Sequence, residues 1–235
     1  MPLLAVEVTF LPATWNTIAS DGVSTSTTVN YTGITIFDSP EGLTQTAVDG
    51  ATTTTSDIFL RKSGQGALLR NDYNMSRAGS PRSESFIIVR ANFTVSAPTT
   101  YAISGFLSAL STASLLNTYE ANADLREWGT NNSLFRNIQQ TINWETEEFT
   151  LGLAEGNSQN QLQGSLTGML RPGTQYEFTG TASIRNFSSV TPTGSASASG
   201  FVELSIGEAT IPEPSAIALV MLGIFGLGRG RFRTR

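Results

Sequence analysis

The 235-residue chain contains no cysteine and no histidine, and charged side chains make up only 14% of it. Without cysteine there is no disulfide, no thiolate nucleophile and no cysteine-based zinc site. Without histidine the commonest general base and the commonest transition-metal ligand are missing, and no Ser-His-Asp arrangement can be built. No phosphate-cradling loop or dinucleotide fingerprint appears either. The formal net charge is −5, but the last 24 residues hold four of the arginines and one glutamate. Residues 1–211 therefore carry 10 basic and 18 acidic groups, a net of −8. That balance opposes nucleic-acid binding, which needs cations to neutralise phosphates, and suits solubility outside a cell.

What the chain does have is glycine, serine and threonine, with many short apolar alternations, which reads as all-β. Its length suits one domain of about 200 residues plus a tail rather than two comfortable cores. The pattern predicts an antiparallel β-sandwich of jelly-roll type over residues 6–209. Residues 6–10 form a first strand, residues 14–30 a polar loop carrying Trp15, and residues 31–37 a second strand. Residues 44–56 read as polar and irregular, 58–61 and 66–70 as short strands, and 71–82 as an exposed loop. The strongest strand is 85–95, where Ile87, Val89, Ala91, Phe93 and Val95 share one face and Arg90, Asn92 and Thr94 the other.

Further on, residues 101–108 alternate, 110–119 read as strand or loop, and 123–130 with 133–141 form a hairpin around Asn131-Asn132. Phe149, Leu151 and Leu153 mark another strand, and Leu162, Gly164, Leu166, Gly168 and Leu170 lie on one face of the next. Arg171-Pro-Gly-Thr174 has the type II turn preference. It leads into 176–184, and residues 201–206 close the domain. Residues 98–105 and 173–180 resemble each other, each placing a turn before Tyr-x-x-Ser/Thr-Gly, as equivalent strands of two sheets would.

Candidate chemistry in this body is sparse. Glu145, Glu147 and Glu148 form the densest acidic cluster. A strand would put Glu145 and Glu147 on one face, as a paired-carboxylate glycosidase requires; the plainer reading is a solvated edge that discourages edge-to-edge pairing. Asp38, Glu41, Asp49 and Asp57 are candidate calcium ligands, although their spacing matches no EF-hand loop. Trp15, Trp128, Trp144, Tyr73 and Tyr119 are candidates for a sugar-stacking platform, with Trp15 and Trp128 the two taken as glycan contacts and Trp144 read as core. No cofactor and no metal is implied.

The C-terminus is the most informative stretch. Pro212-Glu213-Pro214 leads into an uncharged apolar run, residues 216–228, and Arg229, Arg231, Arg233 and Arg235 follow. The prolines fix φ and favour an open, extended approach. Thirteen residues in a helix span about 20 Å, short against a hydrocarbon core of about 30 Å, and the arginines stand where a cytoplasmic flank belongs. This Pro-Glu-Pro tripeptide, short Leu/Gly-rich segment and terminal arginine cluster resemble the PEP-CTERM sorting signal of exported bacterial proteins. The resemblance implies recognition and removal of residues 210–235 by an exosortase-type membrane protease. Pro212, Glu213 and Pro214 would serve recognition and the four arginines orientation.

Such a tail predicts a secretory signal at the other end, yet residues 1–8 hold no basic residue and only a stub of apolar sequence, Leu3-Leu4-Ala5. Residues 1–5 are read as the remnant of a signal that begins upstream. The leading expectation is a non-enzymatic, exported cell-surface or matrix protein, anchored in the inner membrane before processing. The alternative is a secreted carbohydrate-binding module that contacts extracellular polysaccharide, and a glycan hydrolase or lyase comes third.

Overall fold

The computed structural model describes residues 6–11, 13–20, 27–33, 43–63, 66–78, 83–111, 117–143, 146–150, 159–185 and 195–207. Fifteen strands are found among them: β1 (Val8–Phe10), β2 (Ala13–Ser20), β3 (Thr27–Gly33), β4 (Leu43–Asp49), β5 (Thr52–Ser63), β6 (Gly66–Ala78), β7 (Glu84–Val95), β8 (Thr99–Ser111), β9 (Asn117–Glu127), β10 (Ser133–Asn143), β11 (Thr146–Thr150), β12 (Gln159–Gly164), β13 (Thr167–Leu170), β14 (Gln175–Arg185) and β15 (Ser195–Gly207). They form two antiparallel sheets packed as a sandwich. Sheet I runs β12-β10-β9-β14-β7-β2-β3, with β1 also on β7; sheet II runs β11-β8-β15-β6-β5-β4, with β13 also on β8. Every pairing is antiparallel, and β1 and β2 lie end to end along one side of β7, as β11 and β13 do along β8.

The alternation read in the sequence is the inward–outward alternation of the strands. Ile87, Val89, Ala91, Phe93 and Val95 of β7 are all buried, as are Tyr176, Phe178, Ala182 and Ile184 of β14 and Val202, Leu204 and Ile206 of β15. Phe93 bridges Phe10 and Tyr176, with ring centroids 5.7 Å apart in each pair, inside the range where aromatic pairs attract beyond simple burial. The two similar stretches end in opposite sheets, and their glycines meet one residue. Gly105 is the register partner of Val202, whereas a Cβ on Gly180 would lie 2.5 Å from Val202 Cγ1 across the sandwich.

Four expectations are corrected. Trp15 belongs not to a loop but to β2, whose inner positions Ala13, Trp15, Thr17 and Ala19 are buried. Residues 44–56 are not irregular: they make most of the β4–β5 hairpin. Residues 71–78 are not an exposed loop but the second half of the 13-residue strand β6, with Asn71, Tyr73, Met75 and Arg77 facing inward. Residues 162–170 do not form one strand. They change sheets, β12 ending in sheet I and β13 beginning in sheet II, with Gly164 at φ 79 at the break.

The first three corrections share a cause. Where β2, β4, β5 and β6 face one another the interior is polar. Trp15 Nε1 donates to Ser56 Oγ at 2.9 Å, and Ser56 Oγ donates to Asn71 Oδ1 at 2.6 Å. Thr17 Oγ1 donates to Gln45 Oε1 at 2.9 Å, and Thr54 Oγ1 to the Ile18 carbonyl at 2.8 Å. Thr, Ser, Gln and Asn therefore occupy inward positions, and Thr17, Gln45, Thr54, Ser56 and Asn71 are satisfied there by side chains or backbone, as buried polar groups usually are, while Thr52 Oγ1 is not. At these strands hydropathy does not report burial.

The hairpin around Asn131-Asn132 is as expected: β9 and β10 pair, with a register shift between Ser133 and Phe135. Gly173 stands at φ 74 in the Arg171–Thr174 turn, as a type II turn requires at its third position.

Candidate functional site

The outer face of sheet I is the part of the molecule with the most unusual chemistry. It is built by the out-facing residues of β2, β7, β14 and β9, and strand register fixes its rows. Asn92, Glu177 and Arg126 stand side by side, as do Arg90, Thr179 and Asp124; Ile88, Thr181 and Asn122 form the next row. Asn16 extends that row on β2, and Ser183 follows, between Phe86 and Glu120.

Glu177 is central. It is 1% exposed although it lies on an outer face, because β14 is an inner strand of the sheet and two arginines fold over it. Arg126 Nη2 donates to its Oε1, and Arg90 Nε lies 3.7 Å from its Oε2. The arginines themselves are 38% and 44% exposed. Lower on the face, Arg185 Nε donates to Glu84 Oε1 at 2.7 Å, and Ser133 Oγ donates to Asp124 Oδ1 at 3.0 Å. Among the described strand residues of this face, four arginines (Arg90, Arg126, Arg136, Arg185) match four carboxylates (Glu84, Glu120, Asp124, Glu177), so their formal charges cancel.

Five polar atoms of the same face are enclosed without a hydrogen bond: Asn16 Oδ1, Asn92 Oδ1, Asn122 Oδ1, Glu177 Oε2 and Ser183 Oγ. Each such atom costs about 1–3 kcal/mol relative to a satisfied one. Trp128 adjoins the Glu177 end of the face, its backbone N–H donating to the Gln175 carbonyl at 2.8 Å, and its side chain is 49% exposed.

The outer face of sheet II carries a smaller ionic group. Arg70 pairs with Asp72 at 2.8 Å and with Glu203 at 3.4 Å, and its guanidinium stacks 4.0 Å above the Phe201 ring. The hydrogen bond to Asp72, opposed by partial burial, raises the Arg70 pKa further. At the sandwich interior Arg77 donates from Nη1 to Ser83 Oγ at 2.9 Å; burial pulls its pKa down, and Tyr119 acts the other way.

The residues singled out in the sequence fall as follows. Trp15 is corrected: it is 0% exposed and its indole N–H is taken by Ser56, so no sugar can stack on it. Tyr73 and Tyr119 are likewise buried and leave the platform. Trp128 remains accessible. Asp49 ends β4 and Asp57 lies within β5 beside Thr44, at opposite ends of their hairpin, so these two do not converge on an ion. Among the described residues no three carboxylates gather where a metal could sit. Glu147 and Glu148 are in β11, paired with Ala109 and Ser108. Asp38, Glu41, Trp144, Glu145, the motif Pro212, Glu213 and Pro214, and Arg229, Arg231, Arg233 and Arg235 lie outside the described residues. Among those described, no helix is long and apolar enough to cross a membrane.

Sequence reasoning missed Glu177, Asn122 and Ser183. The out-facing half of an alternating strand was treated as solvent-facing, and only the flanking strands make it a covered row.

No protein-family model matches the chain, and no curated protein matches it in sequence. Among solved structures it is similar to a chain from infectious bursal disease virus Gx strain, with 12% identity, 88% of this chain and 56% of that one covered, and a TM-score of 0.29. The chain thus spans about half the length of that viral protein. A second similar structure comes from work on the promiscuous specificity of carbohydrate-binding modules of the β-sandwich superfamily. It shows 12% identity, 85% of this chain and 83% of that one covered, and a TM-score of 0.26. Likenesses at this level say nothing about what the chain binds.

Proposed function

We propose that this is a non-enzymatic, exported cell-surface or extracellular-matrix protein whose C-terminal segment is a PEP-CTERM-type sorting signal processed by an exosortase-type membrane protease. The single observation that carries the reading is the ordered tail: Pro212-Glu213-Pro214, then the apolar residues 216–228, then Arg229, Arg231, Arg233 and Arg235. In this reading the apolar segment forms a short helix that pauses in the inner membrane. The arginines hold the cytoplasmic side, and the protease cuts near Pro212–Pro214. The sandwich, which we read as following a jelly-roll type of path, is the exported cargo.

The relation of tail to body supports this. The last described strand, β15, ends at Gly207 and the motif begins at Pro212, so cleavage at the motif leaves every described strand whole. The deciding experiment is mass spectrometry of the C-terminal peptide from envelope and extracellular fractions of the native host. The expected result is a terminus near Pro214 outside the cell, with full-length protein accumulating in the membrane when Pro212, Glu213 and Pro214 are all replaced by alanine. An intact Arg235 terminus on the wild-type protein in the membrane fraction would make the tail a plain anchor, and the same terminus in the cytoplasm would refute export.

A further inference from the structure

We infer that the outer face of sheet I is a binding site for a neutral, hydroxyl-rich polymer, a polysaccharide chain lying along β14. The inference goes beyond the sorting reading and does not depend on it.

The ligand's chemistry follows from what the face lacks. Four of the five enclosed atoms without a hydrogen bond, Asn16 Oδ1, Asn92 Oδ1, Asn122 Oδ1 and Glu177 Oε2 (the last ion-paired to Arg90 Nε at 3.7 Å), are acceptors only, and the fifth, Ser183 Oγ, both accepts and donates. The complement to this set is a molecule rich in donors. Glu177 and Ser183 are each 1% exposed, so their orphaned atoms are not dispersed by bulk water. The side chains that cover this part of the face, Arg90 and Arg126, are more than a third exposed and end in flexible stems. Swinging them aside uncovers Glu177 without moving backbone.

Charge and shape narrow the class. Four arginines against four carboxylates give no field to attract either a polyanion or a polycation, and the guanidinium groups flanking Glu177 repel a cationic donor. Hydroxyl groups donate without charge. From Glu177 to Ser183 the row extends on the order of 20 Å along one strand, which suits an extended chain rather than a single small molecule. At its Glu177 end, half-exposed Trp128 offers an aromatic surface of the kind that packs against the apolar face of a sugar ring.

The test is native affinity electrophoresis of the full chain, kept soluble in a zwitterionic detergent without a sugar headgroup. The gels contain dextran, laminarin or hydroxyethyl cellulose as neutral probes, and alginate or chitosan as charged ones. Retardation by at least one neutral polymer, insensitive to added salt, is expected. The Asn92→Ala/Ser183→Ala double variant should weaken it by about tenfold or more. Because each alanine removes an unsatisfied acceptor, that variant's melting temperature should stay equal or rise, which separates lost binding from lost folding. Thr46→Ala, on the outer face of sheet II, should leave retardation unchanged. No retardation by any of the three neutral polymers, retardation by the charged ones alone, or full retardation of the double variant would each overturn the inference.

Discussion

At the scale of single residues, the sandwich is sensitive where a side chain of one sheet packs directly against a glycine of the other. Val202 has Gly105 beside it in its own sheet and Gly180 facing it across the core. A β-branched side chain cannot rotate away from an added methyl, so Gly180→Ala should destabilise by about 1–3 kcal/mol. Adding Val202→Ala should recover part of that, so that the pair falls short of the summed single losses in urea titrations. Trp15 and Trp128 separate in the same assay, since replacing Trp15 removes the hydrogen bond to Ser56 Oγ and opens a cavity while replacing Trp128 leaves the core untouched.

Tyr73 sets an alkaline limit. Its hydroxyl donates to the Phe106 carbonyl at 2.9 Å, and burial, reinforced by Asp72, pushes its pKa well above the usual tyrosine range. In the unfolded chain the phenol titrates near pH 10. Its contribution to stability is therefore complete below about pH 10 and is lost as pH climbs from there through the raised folded-state value. Melting temperatures should fall steeply above about pH 10, and less steeply in Tyr73→Phe, which begins about 1 kcal/mol lower at neutral pH for its lost hydrogen bond.

At the scale of elements, two glycines with positive φ are expected to behave differently. Gly129, in the β9–β10 turn, has φ +73 and open space where a Cβ would stand; Gly164 has φ +79 and the Leu134 carbonyl oxygen only 2.0 Å from that position. Alanine at Gly129 should cost about 1–2 kcal/mol for the left-handed backbone alone. Alanine at Gly164 adds a backbone clash at the point where the chain leaves sheet I for sheet II, so its loss should be clearly larger, with hydrogen exchange rising first in β12 and β13.

Legibility of the strands followed their inner residues. β7, β14 and β15 line the apolar core with Ile, Val, Phe and Leu, and their alternation was plain. β4, β5 and β6 turn Gln45, Thr52, Thr54, Ser56, Asn71 and Arg77 inward, so a pattern of burial with period 2 is written in polar residues. Residues 44–56 and 71–78 read as irregular or loop because hydropathy measures transfer from water, and in this seam Gln45, Thr54, Ser56 and Asn71 have exchanged water for protein partners.

At the scale of the whole molecule, β15 is the strand on which sheet II depends. It pairs with β6 along one side and β8 along the other, joining the β4–β6 meander to the β8, β11 and β13 group. A chain ending at Gly207 should keep the sandwich's far-ultraviolet circular dichroism and cooperative melting. One ending at Arg185 should lose both, because sheet II would split into two pieces that each expose an apolar face.

The sequence by itself determined the all-β class, the core faces of β7, β14 and β15, the β9–β10 hairpin, and the order of Pro-Glu-Pro, apolar run and arginines in the tail. These are local properties, carried by side-chain period, turn residues and linear charge order. Only the tertiary structure decided that Trp15 is core rather than contact surface, that residues 44–49, 52–56 and 71–78 are sheet, and that Glu177 lies covered between Arg90 and Arg126 near asparagine carbonyl oxygens that accept no hydrogen bond. Burial at those positions is conferred by strands distant in sequence, β9 and β7 for Glu177, β5 for Trp15, and no pattern along one strand records which neighbours will flank it.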